Sequence, residues 1–302
     1  MADPGPFAEI PTAKGASVVL WNEDSLTGLR RRVPRHGVDV IVTSPPYNLG
    51  VRYGRYNDDR PIHDYLGWIG AFRDSVTEAL GEHGSLFLNI AGPPRRPGHP
   101  WDVAREVEKG LVLQNVIHWV KSIAIPRSAV GEAAGLARDL AVGHYKPVNS
   151  DRFLHGAHEY IFHFSRRGDV RLDKLAVGVP YQDRSNIGRW AGASGGLRSR
   201  GNTWFLPYPT IRYRKSDRPH PASFPPELPE MCLRVHGVAR TRLAADPFLG
   251  IGPSAVAAAR LGIPFVGFDI DPEYLAEAER RVRATPVSPV AGVGTPAVAP
   301  AT

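Results

Sequence analysis

The chain has 302 residues, of which 42% are hydrophobic, a formal net charge of +7 and one cysteine, Cys232. Those values support a full hydrophobic core, and they exclude a wholly disordered chain, a disulfide framework and a multi-cysteine zinc site; no metal centre is expected. No apolar run of about 18 residues is present, and the start, MADPGPFAEI, lacks the basic and apolar regions of a signal peptide, so a soluble, cytoplasmic protein with no membrane partner is expected.

In chain order, residues 1–16 are rich in Pro, Gly and Ala and read as a loose arm. Residues 17–21 (SVVLW) read as a short strand, followed by a helix through Arg32 capped by Asp24 or Ser25. Residues 38–43 (VDVIVT) are a buried strand, residues 63–80 a helix, residues 84–90 (GSLFLNI) a strand, 101–109 a helix and 111–121 a strand. Residues 122–149 show weak periodicity and no core face, and read as a mobile segment. A strand with alternating Tyr160, Phe162 and Phe164 follows, and 167–218 interrupts the pattern as an insertion. A helix at 225–235, a strand at 242–248, a helix at 253–261, a strand at 264–269 and a helix at 272–283 complete the chain, and 284–302 reads as disordered. The alternation of strand and helix predicts a doubly wound α/β sheet.

Two loops carry the chemistry. TSPPYNLG (residues 43–50) ends a strand abruptly at two prolines, which lack N–H groups, and this leaves the carbonyls of Ser44 and Pro45 as acceptors beside the flat ring of Tyr47. Acceptors beside an aromatic face suit a planar ligand with an amino group, such as a nucleobase. Asp246-Pro247-Phe248-Leu249-Gly250-Ile251-Gly252 is the second loop, and Asp269 lies 19 residues beyond Gly250, the spacing of a carboxylate that accepts both hydroxyls of a ribose. The same glycines match a dinucleotide fingerprint, but Pro253 removes a helix-start amide that a pyrophosphate would use, and little chain remains for a second nucleotide-binding half. A nucleoside ligand without phosphates fits better than the cofactor of a dehydrogenase, with Asp246 placed to meet an amino-acid cation. Residues 184–218 hold eight Lys/Arg against one acid, Asp217, with Trp190, Trp204, Phe205, Tyr208 and Tyr213 interleaved, a composition that suits a polyanion.

Together these pieces resemble the β-class DNA amino-methyltransferases, in which the catalytic loop precedes the cofactor glycine loop. The matching pieces are Asp24, SPPY, GSLFLNI, HWVK, HEYIFHFS, HPASFPPEL (residues 220–228), the glycine loop and GFDID. The resemblance implies a Rossmann-like methyltransferase sheet with S-adenosyl-L-methionine as cofactor, a flexible arm at 1–16, a catalytic domain split into 17–166 and 219–283, and a target-recognition region at 167–218. It assigns Asp246, Pro247, Phe248, Gly250 and Gly252 to the methionine part of the cofactor, Asp269 to its ribose and Asp24 to its adenine, with His220, Pro221, Ala222, Ser223 and Phe224 lining the same pocket. Ser44, Pro45, Pro46 and Tyr47 would hold the target base, the ring of Tyr47 taking over its lost stacking. Arg184, Arg189, Arg198, Arg200, Arg212, Arg214 and Lys215 would face double-stranded DNA.

Ser44 stands where many adenine-methylating relatives carry Asp, so the resemblance favours cytosine N4, with adenine N6 as the alternative. The absence of a Pro-Cys motif speaks against methylation at carbon 5 and places Cys232 in packing. The family pattern is compatible with a homodimer and with a cognate restriction endonuclease. A catalytically idle DNA-binding module is the competing class, and it would have no need to keep Asp24, Ser44 and Asp269 together.

Overall fold

The computed structural model describes residues 3–12, 15–51, 53–130, 136–143, 148–181, 187, 196–207 and 223–286. Nine strands form one sheet: β1 (Ala8–Pro11), β2 (Ser17–Asn22), β3 (Val38–Thr43), β4 (Leu80–Ile90), β5 (Val112–Val120), β8 (His158–Ser165), β11 (Thr203–Phe205), β12 (Ala244–Asp246) and β13 (Phe265–Asp269). Their order is β1-β2-β13-β12-β3-β4-β8-β5-β11. β2, β13, β12, β3 and β4 run parallel, whereas β8 lies antiparallel between β4 and β5. The chain leaves β3 toward β4 on one side and returns to β12 on the other, so a crevice opens at the carboxyl ends of β3 and β12, the usual ligand position in such sheets.

Helices cover both faces. On one lie α1 (Ser25–Arg32), α2 (Ile62–Ala79) and α3 (His99–Glu108), whose Leu29, Ile69, Phe72 and Val107 pack with Ile41, Leu86 and Leu88. The other carries α5 (Glu227–His236), α6 (Pro253–Leu261) and α7 (Pro272–Arg283), packed on Val40, Val42 and Phe87 through Leu233, Ala258 and Leu275. Successive residues of β3 and β4 thus serve opposite cores, which explains why these strands read as unbroken apolar runs. Cys232 is fully buried in the second core, where burial pushes its thiol up.

Three segments differ from the sequence-based expectation. Ala8–Pro11 is not loose: it pairs antiparallel with β2 and buries Ala8 and Ile10, a two-residue alternation that the surrounding Pro and Gly obscure. Within 122–149, expected to be a mobile segment, β6 (Ile123–Ile125) and β7 (Leu140–Val142) form an antiparallel ribbon beside the short helix α4 (Arg127–Val130). None of the residues in these three elements is buried, which accounts for the weak periodicity. Inside 167–218, β9 (Val179–Pro180) pairs with β10 (Leu197–Arg198), and Thr203–Phe205 continues the main sheet beside β5 with Trp204 in the core. Residues 287–302, within the stretch expected to be disordered, lie outside the described residues.

A polar chain runs through the core away from the crevice. Asn115 Nδ2 donates to His163 Nδ1 at 3.0 Å, and Ser85 Oγ lies 2.9 Å from both His163 Nε2 and His236 Nδ1. The pattern closes only with neutral rings: His163 Nε2–H donates to Ser85, and the serine hydroxyl donates to His236. Burial, with the neighbouring ring adding to it, pushes His163 down to about 3, and burial with Arg240 nearby pushes His236 down to about 4.

Both folded-state values lie below the 6.5 of an unhindered imidazole, so this contribution to stability is complete above that value and declines as the pH falls from 6.5 toward 4. The expected loss is of order 2 kcal/mol for each ring by pH 5. Thermal melts of the wild type and of His163→Gln, compared between pH 7 and pH 5 so that other groups cancel, should show a shallower decline in the variant; equal slopes would show that His163 does not titrate with folding.

Candidate active site

A cavity of about 320 Å³ fills the crevice. Its walls come from the loops that follow the parallel strands: Glu23, Asp24 and Ser25 after β2, Ser44 to Tyr47 after β3, Pro247 to Ile251 after β12, and Asp269 to Asp271 after β13. Ser223 and Phe224 also line it, as expected, whereas His220, Pro221 and Ala222 lie outside the described residues. Sequence reasoning missed the remaining wall, where Tyr53, Tyr56, Arg60 and Trp68 face the cavity and Trp68 packs 5.3 Å from Phe248, ring centre to ring centre. The guanidinium of Arg60 sits over the Tyr56 ring at 4.8 Å. Tyrosines scattered through a polar stretch carry no periodic signal, so only the folded loop shows them as one surface.

Asp269, expected to hold the ribose, lines the cavity at the end of β13. Its Oδ2 accepts from Gly250 N and its Oδ1 from Asp271 N, both at 2.8 Å. Each carboxylate oxygen retains a further acceptor site. Burial pushes its pKa up, and the two amides oppose that shift. Asp24 caps α1 by accepting from Leu26 N and Thr27 N through Oδ1, and it also lines the cavity.

Asp246 and Gly252, both expected at the methionine part of the cofactor, do not line the cavity. The Asp246 carboxylate is 1% exposed and accepts from Thr43 Oγ1 at 2.6 Å, Ser254 Oγ at 2.5 Å and Phe248 N at 3.0 Å. Burial pushes its pKa up to about 6 against those three bonds. Three of its acceptor sites are therefore taken by the protein, tying β3 to α6. Gly252 has a φ of +77°, and a Cβ there would lie 2.7 Å from that of Ala278, so this glycine serves a left-handed turn and the close approach of α7.

The base loop is held on both sides. Pro46 O accepts from the buried Tyr65 hydroxyl at 2.8 Å, and the buried Asp58 carboxylate accepts from the amides of Asn48, Leu49 and Val51. Among the described residues no hydrogen bond engages the Pro45 carbonyl. Ser44 Oγ donates to Tyr47 Oη at 2.8 Å, and Tyr47 Oη lies 3.1 Å from both Asn89 Oδ1 and Glu159 Oε2. Glu159 in turn pairs with Lys121 at 2.9 Å. Burial, then the Glu159 carboxylate, push the phenol well above its ordinary value, so it stays protonated.

The sequence reading gave Tyr47 only a stacking face, yet its hydroxyl is the centre of this network. Asn89, Glu159 and Lys121 were missed as site residues. The available signal was a polar residue closing the apolar run GSLFLNI and an acid inside the alternating strand HEYIFHFS.

The expected DNA-facing cations divide. Arg198 is exposed, whereas Arg200 is half-buried and donates to Val177 O at 2.9 Å. Arg184, Arg189, Arg212, Arg214 and Lys215 lie outside the described residues.

The cavity suits S-adenosylmethionine. Four acids line it, Glu23, Asp24, Asp269 and Asp271, against Arg55 and Arg60, which matches a cationic ligand without phosphates. The Tyr56 hydroxyl is buried in its wall with no protein partner among the described residues, a polar atom that a ligand would satisfy. The fold, with its two loops at one crevice, is that of a nucleoside-dependent methyl-transfer enzyme.

The family model for DNA methylases acting on N6 and N4 matches residues 38–280, and the chain belongs to that family. It is 24% identical over 253 residues to the type II methyltransferase M.HpaI of Haemophilus parainfluenzae, covering 83% of this chain and 70% of that one. The structure is similar to that of the cytosine-N4-specific PvuII DNA methyltransferase, with a TM-score of 0.62 and 19% identity over 92% of this chain and 88% of that one. It is also similar, with a TM-score of 0.55 and 23% identity, to a Thermus thermophilus protein assigned as a DNA modification methylase and solved with S-adenosyl-L-methionine, covering 88% of this chain and 94% of that one. The protein is a DNA amino-methyltransferase of the N4/N6 type that depends on S-adenosylmethionine. Among the described residues no helix is long and apolar enough to cross a membrane.

Replacing Asp269 with Ala should weaken cofactor binding by tenfold or more, because charge-assisted hydrogen bonds contribute about 1.5 to 3 kcal/mol each. Titration calorimetry with S-adenosylmethionine measures this, and an unchanged affinity would remove Asp269 from the ribose site.

Proposed function

We propose that the enzyme methylates the exocyclic N4 of a cytosine turned out of duplex DNA. The observation that carries this reading is the hydrogen-bond direction at Ser44. The phenol proton of Tyr47 is directed at Asn89 or Glu159, so the Ser44 hydroxyl must donate to Tyr47 Oη, and the Ser44 oxygen is left to the substrate as a pure acceptor. With the Pro45 carbonyl it can take the hydrogens of an amino group, pull that nitrogen from its conjugated planar geometry and aim the lone pair. S-adenosylmethionine, when bound between Asp24, the glycine loop and Asp269, supplies the electrophilic methyl group. The proton lost from the methylated nitrogen passes to Ser44 Oγ as the serine gives its own proton to Tyr47 Oη and Tyr47 gives its proton to the Glu159 carboxylate, so both hydroxyls end neutral and Glu159 ends protonated.

Cytosine is favoured over adenine by the serine at position 44, by HPASFP at 220–225 and by the cytosine-N4 specificity of the structurally similar PvuII enzyme. The basic stretch 184–218 supports contact with the DNA backbone, to which the exposed Arg198 belongs. A homodimer and a cognate restriction endonuclease are compatible with this role.

Nucleosides from plasmid DNA treated with protein and cofactor should contain N4-methylcytosine by mass spectrometry, and N6-methyladenine alone would reverse the base assignment. Tyr47→Phe keeps the ring and strands the Ser44 proton, so its transfer rate should drop by about tenfold or more with cofactor affinity intact. A rate equal to wild type in single-turnover assays would return the whole role of Tyr47 to stacking.

A further inference from the structure

The proposed reaction requires the target base to leave the duplex, and the following inference rests on that reading. A vacated stack is unstable, and enzymes that extrude a base or kink DNA commonly hold it open with an apolar wedge. Tyr47 cannot serve, because its hydroxyl is bonded among Ser44, Asn89 and Glu159 and its ring packs on the core.

The loop before β8 supplies another group. β8 runs antiparallel to β4, so its first residues lie at the carboxyl end of β4, beside the base loop. Glu159, the second residue of β8, touches Tyr47 there. Five residues earlier stands Leu154, within about 18 Å of Glu159 even if the chain between them were fully extended. Leu154 is 91% exposed, about twice the value of Val112, which at 45% is the next most exposed large hydrophobic among the described residues. It lies in Arg152-Phe153-Leu154-His155-Gly156, just after the exposed Asp151, and there Arg152 and His155 are also exposed and the Arg152 guanidinium sits 5.7 Å from the centre of the Phe153 ring. An apolar tip beside the exposed Arg152, close in the chain to a residue that touches the base loop, matches a stack of bases bordered by phosphates.

We propose that Leu154 enters the duplex and fills the space left by the extruded base. The side chain contributes nothing to packing in the free protein, so replacing it leaves the fold intact, and equal melting temperatures of wild type and variants check this.

The test uses a synthetic duplex carrying the site that the wild-type protein modifies in plasmid DNA, with the target base either paired normally or set opposite an abasic position. Leu154→Ala should methylate the paired duplex about tenfold or more slowly than wild type, yet match wild type on the abasic duplex, where pairing no longer opposes extrusion. Leu154→Met should restore most of the rate on the paired duplex. An unchanged rate of Leu154→Ala on the paired duplex, or an equal loss on both, would overturn the proposal. An adenine product would revise the base assignment without touching this comparison, since both duplexes carry whichever base the enzyme modifies.

Discussion

The site depends on one buried carboxylate. Asp246 sits at the end of β12, 1% exposed, and receives the hydroxyls of Thr43 and Ser254 and the amide of Phe248. An unpaired carboxylate in such a place would be costly, and three donors offset its desolvation. Thr43 is the residue immediately before the base loop, Ser254 lies in the first turn of the helix after the glycine loop, and Phe248 is part of that loop. The SPPY loop and the glycine loop are thus tied to a common anchor, and transfer between two bound partners is sensitive to displacements of about 1 Å. Asp246 itself does not line the cavity, whereas Asp269 does.

Direction matters as much as position. A serine hydroxyl both donates and accepts, and in isolation it would give an amino group no consistent partner. Here the choice is made at a distance. Asn89 Nδ2 donates to Tyr160 O, which turns Asn89 Oδ1 toward Tyr47, and Lys121 holds Glu159 beside it. Two acceptors facing one phenol leave the Tyr47 oxygen to accept from Ser44. A neutral hydroxyl thereby presents the polarity of a carboxylate without its charge.

The fold was legible where periodicity was strong. Val38–Thr43, Pro253–Leu261 and Pro272–Arg283 match the sequence reading residue for residue, because each is bounded by a proline, a glycine or an abrupt loss of apolar pattern. β1 was not legible, since four residues give only one and a half periods of alternation inside a Pro- and Gly-rich arm. The two loops of the site were legible by residue type, as was Asp269 by spacing. The roles of Asp246, Asn89 and Glu159 were not, because each is defined by partners far away in sequence: Thr43 lies 203 residues from Asp246, and Tyr47 lies 112 residues from Glu159. Trp204 shows the converse error, an aromatic counted with a basic surface that in fact anchors an edge strand at 2% exposure.

Charge sorts the two substrates. The charged groups that line the cavity are four acids against two arginines, in a chain whose net charge is +7, so the charge balance of the crevice is opposite in sign to that of the whole chain. Phosphates are drawn to the exterior and repelled from the pocket, whereas the cofactor, cationic at sulfur and at its amino group, is favoured there. A nucleobase is neutral and crosses between the two fields without electrostatic cost. In the proposed reaction a single base reaches the SPPY loop while the backbone that carries it stays outside.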